Sequence, residues 1–237
     1  MGAEDPTEHT GQPAHDGAAA IDAMQALPLV EAMETQRAIR RLTSDPVDDE
    51  LVLRLLELAV KAPSGSNGQT WEWVVVRDPE VKHQLARLNR QAWSVYKRTR
   101  ARKARGDASA ARIHAAVQWQ ADHFEEVPVV IVACLHGRPP LFGSPLQGAS
   151  FYGSIFPAVQ NLLLAARAAG LGATLTTLPL WSVTLARRTL GLPGRITPVA
   201  AIPLGWPQGR YGPTTRRPVR DLVHLDRYGH RPFREIR

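Results

Sequence analysis

The chain has 237 residues, 44% of them hydrophobic, with a formal net charge of +7 and one cysteine. That length suits one sizeable domain. No apolar run reaches membrane-span length and the start lacks a basic-then-apolar leader, so a soluble cytoplasmic protein with no membrane partner is expected. A single cysteine excludes an internal disulfide, and Cys134, inside the apolar run 127–135, reads as a buried structural thiol.

Residues 1–26 are rich in Gly, Ala, Pro and acids without periodicity, and read as a flexible acidic N-terminal arm. Residues 1–27 hold five acids and no Lys or Arg. Removing those five negative charges raises the +7 of the whole chain to +12 for the rest, which should attract phosphates, nucleotides or nucleic acid. The remainder, 27–237, reads as a single domain. It opens with a short helix over 27–34, followed by Gln36-Arg37-Ala38-Ile39-Arg40-Arg41-Leu42, where three arginines fall in five positions. Asp45-Pro46 breaks the chain, and Asp48, Asp49 and Glu50 cap a helix over 48–61 with a broad apolar face.

The next stretch is Ala62-Pro63-Ser64-Gly65-Ser66-Asn67-Gly68-Gln69-Thr70-Trp71. Pro63 ends the preceding helix. Gly65 and Gly68 are expected to supply backbone conformations closed to other residues. Ser64, Ser66, Asn67 and Gln69 offer hydroxyls and amides, either for a self-satisfied polar connection or for a ligand. A strand follows over 71–77, then a helix from Asp78-Pro79 to about residue 90. Residues 93–124 read as one or two helices broken near Gly106-Asp107. Six of the nine residues 97–105 are basic, which makes either a solvated face or an anion-binding one.

The run 127–135 suits a strand covered on both faces. After a Gly/Pro-rich loop, 151–169 forms the most apolar helix pattern in the chain, with Pro157 as its effective start or a kink and Gly170 closing it. Such a helix must be buried all round, by the core or by another subunit. Strands are expected over 173–178 and 196–204, with a short helix at 182–190 between them. The tail 205–237 has few apolar residues and needs another surface to lie on.

Several chemistries are excluded by what is missing. No glycine loop ends in Lys-Ser or Lys-Thr, and Gly170-Leu171-Gly172 follows a helix rather than a strand, the reverse of a dinucleotide fingerprint. The eight histidines form no His-Glu-x-x-His or Cys/His cluster, so no metal site is expected, and no Gly-x-Ser-x-Gly elbow appears.

Four motifs in order carry a family resemblance covering about residues 28–230. Residues 36–42 resemble the Arg-Arg-Ser-x-Arg-x-Phe signature of the FMN-dependent nitroreductase family. Residues 62–71 are similar to its Ala-Pro-Ser-x-x-Asn-x-Gln-Pro-Trp loop. Gln160 to Ala166 with Gly170-Leu171-Gly172 resembles its central helix and glycine exit, and Arg216-Arg217-Pro218 with 223–229 resembles its C-terminal segment. The resemblance implies an α+β nitroreductase-like fold, a mixed and mainly antiparallel sheet flanked by helices, in an intertwined homodimer. Residues 205–237 would then be a C-terminal extension over the partner subunit.

By the same resemblance, Arg37 and Arg216 are the candidates for the FMN phosphate, with Arg217 in reserve. Ala38 lies between the arginines, and Arg40 sits near the pyrimidine edge of the ring, where a cation stabilises negative charge on reduction. Pro63, Ser64 and Ser66, with Gly65 between them, would come from the other subunit and touch the ring and ribityl chain, while Asn67 and Gln69 would hold the loop together or line the cofactor. Leu175, Thr176, Thr177 and Leu178 would lie beneath the flavin, with the N–H of Thr177 or Leu178 facing N5. The sequence departs from the family at Gln36 and Ala38, where an Arg and a Ser are usual, so either the C-terminal arginines compensate or FMN is held less tightly. The implied activity is reduction of a small nitroaromatic or quinone-like acceptor by NAD(P)H in ping-pong order, with no catalytic side chain beyond the flavin. The basic run 97–105 tilts the reductant toward NADPH, and Trp93, Tyr96, Trp119 and Phe124 fall in the segment expected to cover the pocket. The alternatives are dehalogenation or flavin fragmentation on the same fold, or a flavin-binding protein without turnover. A nucleic-acid binder, the remaining rival, would be colourless and steeply salt-dependent.

Overall fold

The computed structural model describes residues 16–101, 106–139 and 145–235, without side-chain detail for 99–101 and 235. Eight helices and four strands are present among them, in an α+β arrangement. The strands β1 (Trp71–Val76), β2 (Val129–His136), β3 (Gly172–Ala173) and β4 (Ile196–Gly205) form one sheet in the order β1-β2-β4-β3. Every pairing in it is antiparallel.

Strand β2 explains why the sheet must be covered on both sides. Val129, Ile131, Ala133 and Leu135 enter one core, while Val130, Val132 and Cys134 enter the other, as a period of two dictates. The first core is closed by α1 (Gly17–Ala26), α3 (Asp49–Ala59) and α7 (Ile155–Ala168). The second is closed by α4 (Pro79–Ala101), α8 (Val183–Thr189) and the short turns holding Phe124 and Leu180. Between β2 and β4 the register shifts at Ala133/Cys134, so Ala133 faces Ala200 and Cys134 faces Pro198. The unopposed Val199 is a bulge.

Several boundaries differ from the sequence reading. The acidic arm is helical over α1, where Asp16 Oδ1 accepts the N–H groups of Ala18 and Ala19 at 2.9 and 3.4 Å and Ala20 is buried. Residues 1–15 of the arm lie outside the described residues. The helix expected to stop near residue 90 continues to Ala101, because Leu85, Ala86, Leu88 and Trp93 keep one buried face in register. Helix α5 (Ala108–Asp122) begins at the expected break, with Asp107 as its N-cap and Gly106 at φ +88°. The long apolar helix is divided into α6 (Pro145–Gly153) and α7, so Pro157 falls in the first turn of α7, where its missing N–H leaves no partner unsatisfied.

Helix α7 ends as its glycine predicts. Gly170 sits at φ +76°, its N–H reaches Arg167 O, and the Leu171 N–H returns to Ala166 O at 2.8 Å. The strand expected over 173–178 pairs only at Gly172–Ala173 and through a single bridge from Thr176 to Ala201. Beyond that bridge, Pro179 turns the chain into a 3-10 segment at Leu178–Leu180. No helix among the described residues is long and apolar enough to cross a membrane.

Candidate functional site

The arginine-rich segment 36–42 is held as an extra edge on the sheet. Helix α2 (Leu29–Thr35) ends just before it. Ile39 N–H donates to Ala173 O at 3.1 Å, and Thr174 Oγ1 donates to Ile39 O at 2.6 Å. Leu42 bridges to Pro207. Gly172 permits this contact, since a Cβ there would lie 2.6 Å from Leu42 Cδ2 and 2.8 Å from Ile39 Cγ2. Leu42 is buried and Ile39 packs against the second core, which leaves Arg37 exposed and Arg40 half-buried.

The tail comes back to meet them. Thr214 donates to Glu34 O through both its N–H (2.9 Å) and its hydroxyl (3.1 Å). Gln208 N–H and Nε2 bind the carbonyls of Arg41 and Leu42. These bonds lay 207–215 on the chain's own body and carry Arg216 to the arginine segment. The result is a cleft of about 680 Å³ lined by Arg37, Ala38 and Arg40, by Pro213 to Arg216, and by Ser109, Arg112, Ile113 and Ala116 of α5.

Its electrostatics are one-sided. Among the described residues, four arginines line the cleft and no acidic residue does. Among the described residues, Arg37, Arg40 and Arg112 have no carboxylate partner, and Arg216 donates only to Thr215 O at 2.9 Å. Burial lowers the proton affinity of Arg40, and the nearby charge of Arg37 lowers it further. Arginine stays protonated regardless. A cleft lined by uncompensated cations is a site for an anion.

Sequence reasoning thus located Arg37, Ala38, Arg40 and Arg216 in one place. Arg217 is exposed and does not line the cleft. Pro63, Ser64, Gly65, Ser66 and Asn67 lie elsewhere in this chain, and so do Leu175 to Leu178. The loop has its own geometry: Gly65 N–H donates to Ser154 Oγ at 3.1 Å, and Gln69 N–H to Ser64 Oγ at 3.1 Å. The expectation about its glycines is corrected. The left-handed residues are Ser66 (φ 51°), Asn67 (φ 52°) and Gln69 (φ 45°), whereas Gly68 sits at φ −70°. Residues with side chains are strained there because the loop is fixed at both ends.

At the end of β3 the two candidate donors separate. Leu178 N–H is taken by Thr176 Oγ1 at 3.3 Å, while Thr177 N–H has no partner among the described residues. Of the four expected pocket aromatics, Phe124 and Trp93 are buried core, and Trp93 Nε1 donates to Gln118 at 2.8 Å. Trp119 stacks on His123 at 4.3 Å and carries the Arg41 guanidinium 5.8 Å from its ring centre. Tyr96 is 40% exposed. Of the basic run 97–105, only Lys97 and Arg98 have described side chains, and residues 102–105 lie outside the described residues.

The wall from α5 was not foreseen. Positions 109, 112, 113 and 116 share one helical face. A single arginine on an alanine-rich helix gave too little signal to mark it.

Comparison with known proteins points to one family. The model of the nitroreductase family matches residues 33–206. The chain is 27% identical to rat (Rattus norvegicus) iodotyrosine deiodinase 1 over 207 residues, covering 84% of this chain and 70% of that protein. It is 28% identical over 204 residues to the "Putative NADH dehydrogenase/NAD(P)H nitroreductase" of Methanothermobacter thermautotrophicus, covering 85% of each. The crystal structure of oxidized iodotyrosine deiodinase bound to FMN and 3-iodo-L-tyrosine shares the fold, with a TM-score of 0.63 at 22% identity over 85% of this chain and 98% of that one. A family model spanning most of the chain, including the arginine segment and the sheet that holds it, leaves one conclusion: the chain belongs to the nitroreductase family.

Proposed function

We propose that this chain is one protomer of a homodimeric, FMN-dependent oxidoreductase that uses NAD(P)H to reduce small nitroaromatic or quinone-like acceptors. The observation that carries the reading is the cleft itself, four arginines with no acid among its lining residues. That donor set suits a phosphate, which takes paired N–H donors and about two negative charges.

In this reading Arg37 and Arg216 hold the FMN phosphate, with Ala38 between them and Arg40 toward the pyrimidine edge. Thr215 adds a hydroxyl at the same rim, while the Thr214 hydroxyl is already donated to Glu34 O. The free N–H of Thr177 is the better donor toward N5, since Leu178 N–H is already used. FMN, when bound, supplies the redox chemistry that no side chain of this protein provides. Pro63, Ser64, Gly65, Ser66 and Asn67 reach the flavin of a second copy, which accounts for a strained loop outside the arginine cleft of its own chain. The open stripe on α7 at Phe156 and Gln160, and the exposed Val219, Leu222 and Tyr228 of the tail, offer that second copy its surface. The reductant and the acceptor take turns in one site, with NADPH the first reductant to try.

Dehalogenation is the second reading, favoured by the likeness to a deiodinase. The spectrum of the purified protein tests both. A yellow protein bleached by NADPH and recoloured by a nitroaromatic supports the first. A yellow protein inert to that acceptor but releasing iodide from 3-iodo-L-tyrosine under reduction supports the second. A colourless protein that takes up no added FMN rejects both.

A further inference from the structure

We infer that Arg112, with Ser109 beside it, is the anion-recognition pair for the substrate that meets the flavin, and that this substrate is a planar molecule carrying a carboxylate or phosphate. The inference rests on the flavin reading above.

The first argument is a charge count. Among the described residues, the cleft carries four guanidinium groups. FMN brings about two negative charges on its phosphate, and reduction of the ring adds about one more. One cation is therefore left without a counter-charge in the loaded protein, and an uncompensated arginine at a cleft wall favours an anionic ligand.

The second argument identifies which cation that is. Arg37, Arg40 and Arg216 belong to two segments hydrogen-bonded to each other through Glu34 and Thr214. Arg112 belongs to α5, which is tied to the arginine segment through Arg41 over Trp119. It has no carboxylate partner among the described residues. The N-terminus of α5 does not bind the anion, because Asp107 Oδ1 already accepts the N–H groups of Ser109 and Ala110 at 2.8 and 3.2 Å. Recognition therefore falls to the side chains. Ser109 and Arg112 are one turn apart on one face, so a hydroxyl and a planar fork converge on the same group.

The third argument concerns the rest of the ligand. On the same face, Ile113 lies 53% exposed beside Arg112, and Ala116 follows. A β-branched apolar side chain open to the cleft, next to a residue with almost no side chain, makes a flat surface for a planar apolar body. The charged head and the flat body are thus recognised by adjacent turns of one helix.

Arg112→Gln removes the charge at an exposed position and leaves the helix intact. The holoprotein is assayed with 4-nitrobenzoate and with nitrobenzene, and separately with NADPH and with NADH. Binding of 4-nitrobenzoate is also titrated through flavin absorbance, which needs no turnover. The expected result is a fall of about tenfold in the preference for the charged member of one pair, with Arg112→Lys recovering part of it. A fall for 4-nitrobenzoate over nitrobenzene assigns the pair to the acceptor; a fall for NADPH over NADH assigns it to the reductant's extra phosphate. Unchanged preference in both pairs overturns the inference while the flavin reading stands. Loss of FMN as large as that from Arg37→Ala overturns it too, by placing Arg112 in the phosphate cradle. A wild-type protein that takes up no FMN removes the flavin reading and this inference together.

Discussion

The guanidinium of Arg167 lies 4.1 Å from the centre of the Tyr211 ring, joining the last turn of α7 to the tail five residues before Arg216. Arg167 also donates to Thr35 Oγ1 at 2.8 Å and pairs with Glu31 at 3.6 Å, while the Tyr211 hydroxyl donates to Leu171 O. The same cluster therefore fixes the ends of α2 and α7 and the start of the tail.

That cluster should position Arg216 from a distance. Tyr211→Phe keeps the ring over Arg167 and loses one hydrogen bond, at a cost of about 1 kcal/mol. Tyr211→Ala loses the cation–π contact and the packing as well, costing about 3 kcal/mol. Urea unfolding gives both values. FMN titration should show weaker binding for Tyr211→Ala than for Tyr211→Phe; equal affinity would detach Arg216 from its anchor.

Arg37→Ala and Arg216→Ala should each weaken FMN binding about tenfold, the effect of one charge-assisted contact at a partly open site. Arg217→Ala, which alters a residue outside the cleft, is the comparison. Flavin fluorescence titration orders the three, and an Arg217 effect as large as the others would move the phosphate site.

Gly172→Ala places a Cβ 2.6 Å from Leu42 and 2.8 Å from Ile39. Overpacking there should cost about 1–3 kcal/mol. Because Ile39 lies between Ala38 and Arg40, FMN affinity should fall along with the melting temperature. Gly170→Ala offers a contrast, since nothing lies within 4 Å and only the positive φ resists the change. It should cost about 1 kcal/mol and leave FMN affinity alone.

Ser66→Gly relieves a left-handed residue and should gain up to about 1 kcal/mol. Thermal unfolding of the apoprotein reads this directly, and a drop in melting temperature would count against strain in the loop.

Burial, reinforced by the charge of Glu72, pushes the Cys134 thiol up to about 12. The folded chain therefore holds this proton after the unfolded chain has released it, from about pH 9 upward. Stability contributed by the neutral thiol is complete below that pH and falls as pH climbs toward 12, by up to about 1.4 kcal/mol per pH unit. Burial raises the Tyr211 phenol as well, against a smaller opposing effect of Arg167, so its contribution has the same sign. Urea midpoints between pH 8 and 11 measure the combined slope, which Cys134→Ala should reduce. Iodoacetamide at pH 8.5 should label Cys134 only after unfolding.

Much of the site was legible because its signals are local. Arg37, Ala38 and Arg40 sit in one short motif, and Arg216 follows a run of turn residues that could only be tail. Pro63 and Gly170 end their helices through constraints on their own backbone. The errors came where neighbours override local preference. Residues 17–26 carry little amphipathic pattern, yet Asp16 caps them and the core takes Ala20. Glycine content suggested that Gly65 and Gly68 supply the unusual backbone, but with the Gly65 and Gln69 N–H groups held by Ser154 and Ser64 the left-handed positions are Ser66, Asn67 and Gln69.

The order of motifs, the two-faced burial of β2 and the excess of cations over acids are properties of the sequence alone, since period, composition and charge do not depend on distant contacts. Which cations share a cleft is not such a property. Arg37, Arg112 and Arg216 are brought together by Thr214 on Glu34, Ile39 on Ala173 and Arg41 over Trp119. Those contacts join residues distant in the chain, so only the folded molecule decides that α5 walls the arginine cleft.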